Sequence, residues 1–330
     1  MKAHAVSFLA PRRVGLTPVD LPDIGPGQTL VRTMYSGIST GTELLAYRGE
    51  LDPSLPLDES LEGLQGTFAY PFSYGYSCVG VVEDGDGFPP GTLVFAFRPH
   101  QDRFVAATGE LVPLGDVDPR QATLFPLVET ALQVVLDAGA VLEEPVFVMG
   151  MGVVGLLTAV LLERAGARVT AVDPRPWRRD AAESVGLRAA DPDDLEGPVS
   201  LVVEVTGNPE ALRQALDLLG HEGEVLVASW YGKKEATLPL GGSFHRRRLT
   251  IRSTQVTTIS AGLSSRWTRE RRRSTVQALL PQLPLASLAT HTFAFEDAPD
   301  VFAALDRGDE GILHAALSYD EPGPATRETR

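Results

Sequence analysis

Short apolar stretches separated by turn signals make up the N-terminal part of the chain. Four of these stretches have the β-branched and apolar content of strands, namely Ala3–Phe8, Thr29–Tyr35, Ser77–Glu83 and Thr92–Phe97. Segments rich in Asp, Gly and Pro lie between them, as at 23–27 and 84–87. This pattern predicts an all-β N-terminal unit.

The hydrophobic spacing then becomes helical, with one apolar stripe along Arg120–Ala138. Strands and helices alternate from there. The predicted strands are Val146–Met149, Arg168–Val172, Val199–Glu204, Glu224–Ala228 and Leu249–Val256, and the helices between them are Val154–Ala165, Trp177–Ser184 and Pro209–Leu218. This alternation predicts parallel crossovers and a doubly wound sheet.

The pattern in the C-terminal part of the sequence predicts that the chain returns to the first unit. A helix is expected at Ser274–Leu283, a strand at Thr290–Phe295, a helix at Asp297–Asp306 and a last strand at Leu313–Tyr319. The polar segment after Asp320 is predicted to be disordered. The predicted domains are therefore a β-rich domain of residues 1–118 and 265–330, and a doubly wound domain of residues 119–264.

The first strand of the doubly wound region leads into a glycine motif, Gly150-x-Gly152-x-x-Gly155, which opens a helix. Gly150 permits a tight turn, Gly152 lets the backbone approach a pyrophosphate, and Gly155 allows close packing of the helix. The helix N-terminus at Val153 and Val154 would present N–H groups to the phosphates. The motif in this setting predicts dinucleotide binding. The alternative is a glycine-rich turn without a ligand.

The next strand ends at Asp173, where a carboxylate can accept both ribose hydroxyls of NAD and repel a 2′-phosphate. Arg175, Arg178 and Arg179 follow, and an arginine there could hold the 2′-phosphate of NADP. Alternatively, these arginines form the solvated face of the next helix. The sequence slightly favours NAD.

Other cofactor contacts are expected beyond the carboxyl ends of the later strands, because ligands of doubly wound sheets bind at that edge. Thr206 and Gly207 follow one predicted strand, and Ser229 and Trp230 follow the next. For each of them, the alternative interpretation is an ordinary turn.

The composition excludes several classes of protein. The 330 residues include 29 Lys and Arg against 43 Asp and Glu, and the net charge of −14 argues against nucleic acid or an anionic membrane as the main partner. The single cysteine, Cys78, excludes an intramolecular disulfide framework and a four-cysteine zinc site. It is consistent with a reducing cytoplasm, where we expect the protein.

A basic stretch interrupts this acidic chain, because the segment Arg246–Arg273 contains nine arginines and one acidic residue, Glu270. Three interpretations remain open. The arginines could form a solvated face, recruit a carboxylate-bearing substrate, or pair with acidic groups of the same or another subunit.

Several segments together resemble the medium-chain dehydrogenase/reductase superfamily. They are Ser36–Glu43 (SGISTGTE), Tyr74–Gly80 (YGYSCVG), Pro99–Phe104 (PHQDRF) and Ser243–Leu249 (SFHRRRL). The last two and the STGTELLAYRG run are similar to a subgroup that contains bacteriochlorophyllide a dehydrogenase. The resemblance implies a GroES-like catalytic domain joined to a Rossmann domain, and an NAD(P)-dependent oxidoreductase forming homodimers or homotetramers. It also implies that Thr130 lies near the nicotinamide and Thr40 near the pyrophosphate.

The chain departs from that superfamily where zinc-dependent members carry their metal ligands. Ser39 stands in place of the cysteine, Tyr76 in place of the histidine and Ser77 in place of the glutamate. Zinc prefers thiolate, imidazole and carboxylate, so a neutral hydroxyl is a poor substitute. We expect no catalytic zinc. A site rebuilt from His100, Glu129 and Cys78 is the remaining alternative.

Without a metal, the oxyanion formed during carbonyl reduction needs a hydrogen-bond donor. Tyr76 would supply a phenol, Ser39 and Thr40 could add hydroxyls, and His100 could supply or relay a proton. The structural alternatives are that Tyr76 only packs, that Ser39 caps a helix, and that His100 lies in a loop.

The predicted function is interconversion of an alcohol and a carbonyl on a small-molecule substrate, which could be anionic. An NADPH-dependent quinone or enone reductase is one alternative. A non-catalytic nucleotide-binding protein is another.

Overall fold

The computed structural model describes residues 1–319, which form two compact units. The first unit contains Met1–Leu124 and the chain from Ala289 onward, and the second contains Phe125–Leu288. The predicted disordered segment after Asp320 lies outside the described residues. Residues 265–288 were assigned to the first unit from the sequence, whereas the structure groups them with the second. The physical reason is that the helix Arg269–Leu279 packs against the helix Phe125–Ala138.

The first unit is mainly β-structure. Its N-terminal part contains strands β1 (Lys2–Ala10), β2 (Arg13–Asp20), β3 (Gln28–Ile38), β4 (Phe72–Ser73), β5 (Cys78–Gly85), β6 (Leu93–Ala96), β7 (Arg103–Ala107) and β8 (Val112–Pro113), with helices α1 (Thr40–Arg48) and α2 (Pro119–Ala122).

The second unit alternates helices and strands in the order α3 (Phe125–Ala138), β9 (Pro145–Met149), α4 (Val153–Arg164), β10 (Arg168–Val172), α5 (Pro176–Ser184), β11 (Ala189–Ala190), β12 (Val199–Glu204), α6 (Pro209–Leu218), β13 (Leu219–Val227), β14 (Thr250–Ser253), α7 (Arg269–Leu279) and α8 (Leu285–Leu288). The chain then returns to the first unit with β15 (His291–Ala294), α9 (Ala298–Arg307) and β16 (Ala315–Ser318).

Two sheets build the first unit. One has the strand order β2-β1-β4, and the other has the order β15-β16-β3-β5-β6-β8, with β7 also pairing with β3. The strand β16 pairs antiparallel with β3, so the end of the described chain joins the N-terminal strands in one sheet. The predicted GroES-like β-rich domain and the return of the chain are confirmed.

The second unit has one parallel sheet with the strand order β11-β10-β9-β12-β13-β14. Parallel strands covered by helices on both faces need apolar side chains on both faces. Val146, Val148 and Val202 are accordingly fully buried. The strand order reverses between β9 and β12, which places the topological switch point beside the glycine loop. The predicted Rossmann fold is confirmed.

The helix predicted at Arg120–Ala138 is two helices, α2 and α3, separated by Thr123 and Leu124. Pro126 contributes to the break, because proline lacks the N–H that a continuous helix would need at that position. The strand β2 was also missed. It contains Gly15 and Pro18, which weaken the strand signal but are tolerated because β2 is an edge strand.

Each unit has its own hydrophobic core. In the first unit, Phe8 stacks on Phe72 with ring centroids 5.2 Å apart and meets the edge of Phe302 from α9. In the second, Ala215 and Leu216 of α6 pack with Val202 and Val225 of the sheet. Among residues 1–319, none of the helices has both the length and the apolar character that a membrane crossing requires.

Candidate active site

The glycine loop between β9 and α4 depends on two very close backbone approaches. Gly150 has a φ of 106°, and a Cβ there would lie 2.9 Å from the carbonyl oxygen of Val205. A Cβ on Gly155 would lie only 1.8 Å from the carbonyl oxygen of Gly150. Neither position can carry a side chain without a shift of the backbone. By contrast, a Cβ on Gly152 would meet no heavy atom within 4 Å.

The open space at Gly152 lies at the N-terminus of α4. Gly152 is the N-cap residue, its backbone is extended, and it offers no side chain to cap the helix. The first helical hydrogen bond runs from the N–H of Leu156 to Gly152, so the preceding N–H groups of Val153 and Val154 have no partner within the helix. The N–H groups at this helix N-terminus are free, and the open space at Gly152 lets a ligand approach them. This arrangement is suited to binding a pyrophosphate.

Asp173 follows β10 and is fixed against the same loop. Its Oδ2 accepts a hydrogen bond from the N–H of Met151 at 2.9 Å, and its Oδ1 accepts one from the N–H of Arg175 at 3.0 Å. Nη1 of Arg178 lies 3.5 Å from Oδ2. The structure therefore brings Asp173, Arg175 and Arg178 together beside the glycine loop.

Arg178 and Arg179 differ in their hydrogen-bond partners. The side chain of Arg178 is three-quarters buried, its Nε has no hydrogen-bond partner, and its guanidinium lies 5.1 Å from the Trp177 ring centroid. Burial lowers the pKa of Arg178, and the Asp173 carboxylate opposes that shift. Arg179 is occupied elsewhere, because it donates to the Asp173 carbonyl and the Asp191 carboxylate.

A second buried carboxylate, Glu204, organises the end of β12. Its Oε1 accepts hydrogen bonds from the N–H groups of Thr206 and Gly207 and from the Thr206 hydroxyl, and its Oε2 accepts one from the Tyr231 phenol at 2.9 Å. The Ser229 hydroxyl accepts the N–H of Gly207 at 2.8 Å. Burial, and then the charge of Glu204, raise the pKa of Tyr231.

This cluster brings three predicted cofactor residues, Thr206, Gly207 and Ser229, into one hydrogen-bonded group. Tyr231 lies in the segment after β13 where cofactor contacts were expected, whereas Glu204 was predicted only as the end of a strand. The available signal was a carboxylate at the end of an apolar strand, as at Asp173. Trp230, also predicted, is 43% exposed. The Thr130 hydroxyl is used within its own helix, donating to the Pro126 carbonyl at 2.9 Å.

In the first unit, the Tyr76 phenol lies near the side chains of Ser39 and Thr42, which influence its pKa. Burial, and next the negative charge of Glu43, raise the pKa of Tyr76 to about 12, and the two hydroxyls oppose that rise. The phenol therefore stays protonated at neutral pH and can donate a hydrogen bond. Ser39 is the N-cap residue of α1, but its hydroxyl makes no capping hydrogen bond to the helix. The half-buried Thr40 is the first residue of that helix.

A buried network of hydrogen-bonded polar side chains lies next to this group. Only one of its members, His100, was predicted from the sequence. Nε2 of His100 lies 2.7 Å from Oε2 of Glu43, and its Nδ1 lies 2.7 Å from the Ser36 hydroxyl. The Ser36 hydroxyl is 2.8 Å from the Tyr319 hydroxyl. His100 and Glu43 are both fully buried. His100 thus belongs to a fixed network, whereas Glu43, Ser36 and Tyr319 were not predicted from the sequence.

The three residues considered as a rebuilt zinc site are each engaged with other partners. Cys78 is buried and donates its S–H to the carbonyls of Arg98 and Pro99, and burial raises the pKa of its thiol to about 12. Glu129 lies in the second unit and is paired with Arg272 at 3.1 Å. Residues 1–319 contain no cluster of three or more His, Cys, Asp or Glu side chains arranged to hold a metal ion.

The arginine-rich segment is mostly engaged within the second unit. Arg272 is buried and donates to Glu129 and to the side-chain oxygen of Gln133, which fastens α7 to α3. Other arginines of the segment pair with carboxylates or contact backbone and aromatic groups: Arg247 with the Leu219 carbonyl, Arg248 with Glu222, Arg252 with Glu224, Arg271 with the Trp267 ring and Arg273 with Glu129. Of the three interpretations, intrachain pairing accounts best for these residues.

The sequence matches a family model and several known dehydrogenases. The family model of zinc-binding dehydrogenases matches residues 153–272. The chain is 29% identical to 2-desacetyl-2-hydroxyethyl bacteriochlorophyllide A dehydrogenase of Cereibacter sphaeroides, over 92% of this chain and 94% of that protein.

Solved structures share the fold at lower identity. The 2R,3R-butanediol dehydrogenase of Bacillus subtilis superposes with a TM-score of 0.78 at 20% identity, covering 96% of this chain and all of that chain. A short-chain alcohol dehydrogenase of Escherichia coli CFT073 in complex with NADH gives a TM-score of 0.76 at 16% identity, covering 96% and 99% of the two chains.

The fold, the glycine loop and these similarities define a two-domain, nucleotide-dependent oxidoreductase. The chain resembles the medium-chain dehydrogenase/reductase superfamily. The predictions of an NAD(P)-dependent dehydrogenase or reductase, and of use of a nicotinamide cofactor, are confirmed at that level.

The glycine loop allows a matched pair of substitutions. Gly155→Ala places a methyl group inside contact distance of the Gly150 carbonyl, so we expect a large loss of thermal stability. Gly152→Ala meets open space and should fold normally, yet it fills the gap beside the helix N-terminus. We expect its affinity for NADH to fall by about tenfold or more, or at least ~1.4 kcal/mol. Thermal melts and NADH fluorescence titrations measure both effects, and a Gly152→Ala protein that binds NADH like the wild type would contradict this assignment.

Proposed function

We propose that the protein interconverts an alcohol and a carbonyl with a nicotinamide cofactor and without a catalytic zinc ion. The observation that carries the proposal is the phenol of Tyr76, which lies near the Ser39 and Thr42 hydroxyls in the first unit. The similarity to a bacteriochlorophyllide dehydrogenase and to an alcohol dehydrogenase fold supports the same reaction class.

The chemistry of the available side chains argues against a zinc site of the kind found in zinc-dependent relatives. Ser39 and Tyr76 carry neutral hydroxyls, and zinc prefers thiolate, imidazole and carboxylate ligands. The imidazole of His100 has both ring nitrogens in hydrogen bonds to Glu43 and Ser36. The residues present do not fit a zinc ion.

The first unit supplies a proton donor. When bound, the nicotinamide supplies or accepts the hydride. The Tyr76 phenol is suited to donate a hydrogen bond to the substrate oxygen as negative charge develops there during reduction. A phenol with a pKa of about 12 is still more acidic than an alcohol, so it can pass its proton to the alkoxide product. Ser39 and Thr42 then stabilise the phenolate by hydrogen bonds until the proton is replaced.

The second unit selects the cofactor. We propose a preference for NAD over NADP, because the Asp173 carboxylate is already fixed beside the glycine loop by the N–H groups of Met151 and Arg175. Its remaining lone pairs can accept ribose hydroxyls, whereas a 2′-phosphate would meet its negative charge. The positive charge of Arg178 is partly neutralised by the same carboxylate, which lies 3.5 Å from its Nη1.

Removal of the phenol hydroxyl tests the proposed reaction. We expect Tyr76→Phe to lower kcat about 10²- to 10³-fold, the loss typical of one oxyanion-stabilising donor. Affinity for NADH should not change. Tyr74→Phe is the matched control, because this neighbouring ring lies 5.9 Å away and is also buried.

Turnover of a substrate panel of alcohols, ketones, enones and quinones measures the effect of Tyr76→Phe on kcat. Equal turnover by Tyr76→Phe and wild type would remove the phenol from the mechanism. Turnover of enones or quinones alone would indicate the C=C or quinone reductase instead. Tight NADH binding without turnover of any compound would indicate a non-catalytic protein.

Cofactor titration tests the role of Asp173. Wild-type protein should bind NADH more tightly than NADPH, and Asp173→Asn should reduce that ratio about tenfold by removing one negative charge. Asp191→Asn removes a carboxylate that pairs with Arg179 nearby and serves as the control. Tighter binding of NADPH than NADH by the wild type would reverse the preference.

A further inference from the structure

A buried carboxylate in the first unit contacts both the N-cap residue of α1 and His100. Glu43 is fully buried, and no arginine or lysine is among its contacts in the described chain. A buried carboxylate is costly unless donors satisfy its oxygens. Its Oε1 accepts the N–H of Ser39 at 2.7 Å, and its Oε2 faces Nε2 of His100 at 2.7 Å.

The bond to Ser39 fixes the start of α1. Glu43 lies in the first turn of that helix and reaches back to the N-cap residue, which satisfies a backbone N–H that the helix itself leaves free. Ser39 and Thr42 are the two residues whose hydroxyls lie near the Tyr76 phenol and lower its pKa. The carboxylate therefore fixes the first turn of the helix, which carries both hydroxyls.

His100 connects this helix to the segment that carries Tyr76. A Cβ on Gly75 would lie 2.6 Å from Cδ2 of His100, so the backbone next to Tyr76 presses directly on the imidazole. Gly75 has a φ of 116°, which also favours glycine there. The other ring nitrogen is held by Ser36, which is in turn held by Tyr319. The imidazole cannot shift without disturbing both segments.

We propose that Glu43, held by His100, is a positioning residue that fixes Ser39 and Thr42 against the Tyr76 phenol. This inference rests on the proposed function of Tyr76. Neither Glu43 nor His100 contacts solvent, so both act through the phenol and not on the substrate directly. His100 is therefore a positioning residue as well, not the proton relay considered from its sequence position.

The arrangement has an electrostatic signature that packing alone would not produce. The charge of Glu43 raises the pKa of Tyr76, and the nearby hydroxyls of Ser39 and Thr42 lower it. The other ionisable groups facing the phenol are Asp58 and Tyr74, which stay constant in the variants below. Loss of the carboxylate charge and loss of a hydroxyl should therefore move the pKa of the phenol in opposite directions.

The experiment uses 3-fluorotyrosine incorporated at position 76 of the full-length protein, so that ¹⁹F NMR follows this phenol alone. Glu43→Gln keeps the shape of the side chain and removes its charge. We expect the pKa of the phenol to fall and kcat to drop about 10- to 100-fold through misplacement of the donor, while NADH affinity stays unchanged. Ser39→Ala should also lower kcat, but it should raise the pKa of the phenol.

Asp306→Asn is the control, because Asp306 is a nearly buried carboxylate of the same unit that pairs with Arg12 and Arg48. It should lower thermal stability without changing kcat or the phenol titration. If Glu43→Gln does not fold, Ser39→Ala and Thr42→Val still test the inference, because each should raise the pKa of the Tyr76 phenol.

Two outcomes would overturn the inference. One is a Glu43→Gln protein with wild-type kcat, and the other is a protein with lowered kcat but an unmoved phenol titration, which would mean a merely structural role. Failure of the proposed function is distinguishable, because Tyr76→Phe would then keep full turnover even if Glu43→Gln shifts the titration.

Discussion

A buried carboxylate has to be satisfied by hydrogen-bond donors, and the first unit is arranged around one such group. Glu43 is held by the N–H of Ser39 and by His100, and these bonds join helix α1 to the segment preceding Tyr76. Because each partner is itself fixed, the carboxylate cannot relax toward water. The placement of the neighbouring hydroxyls follows from that constraint.

The second unit uses the same principle at the ends of its parallel strands. Asp173 and Glu204 are buried carboxylates that accept backbone N–H groups of the loops next to them. These bonds fix the loops on either side of the switch point of the sheet, where a nucleotide binds in this fold. The close approach of Gly155 to the Gly150 carbonyl fixes the turn between them. The proposed cofactor site is thus prearranged by bonds between these carboxylates and the backbone of the loops.

Local features of the site could be predicted from the sequence, and long-range ones could not. The glycine loop and Asp173 were found because strand, turn, helix and strand follow one another within a short segment. His100 and Glu43 are separated by 57 residues and Arg272 and Glu129 by 143, and no spacing rule joins such pairs. The second pair also explains why residues 265–288 group with the nucleotide-binding unit, which their composition did not indicate.

The central claim is that hydroxyl groups take the place of a catalytic metal. Its most direct test is elemental analysis of protein produced in zinc-supplemented medium, combined with turnover before and after dialysis against a chelator. The account predicts substoichiometric zinc and unchanged turnover after dialysis. One zinc per chain, removed together with turnover and restored by added zinc, would contradict it.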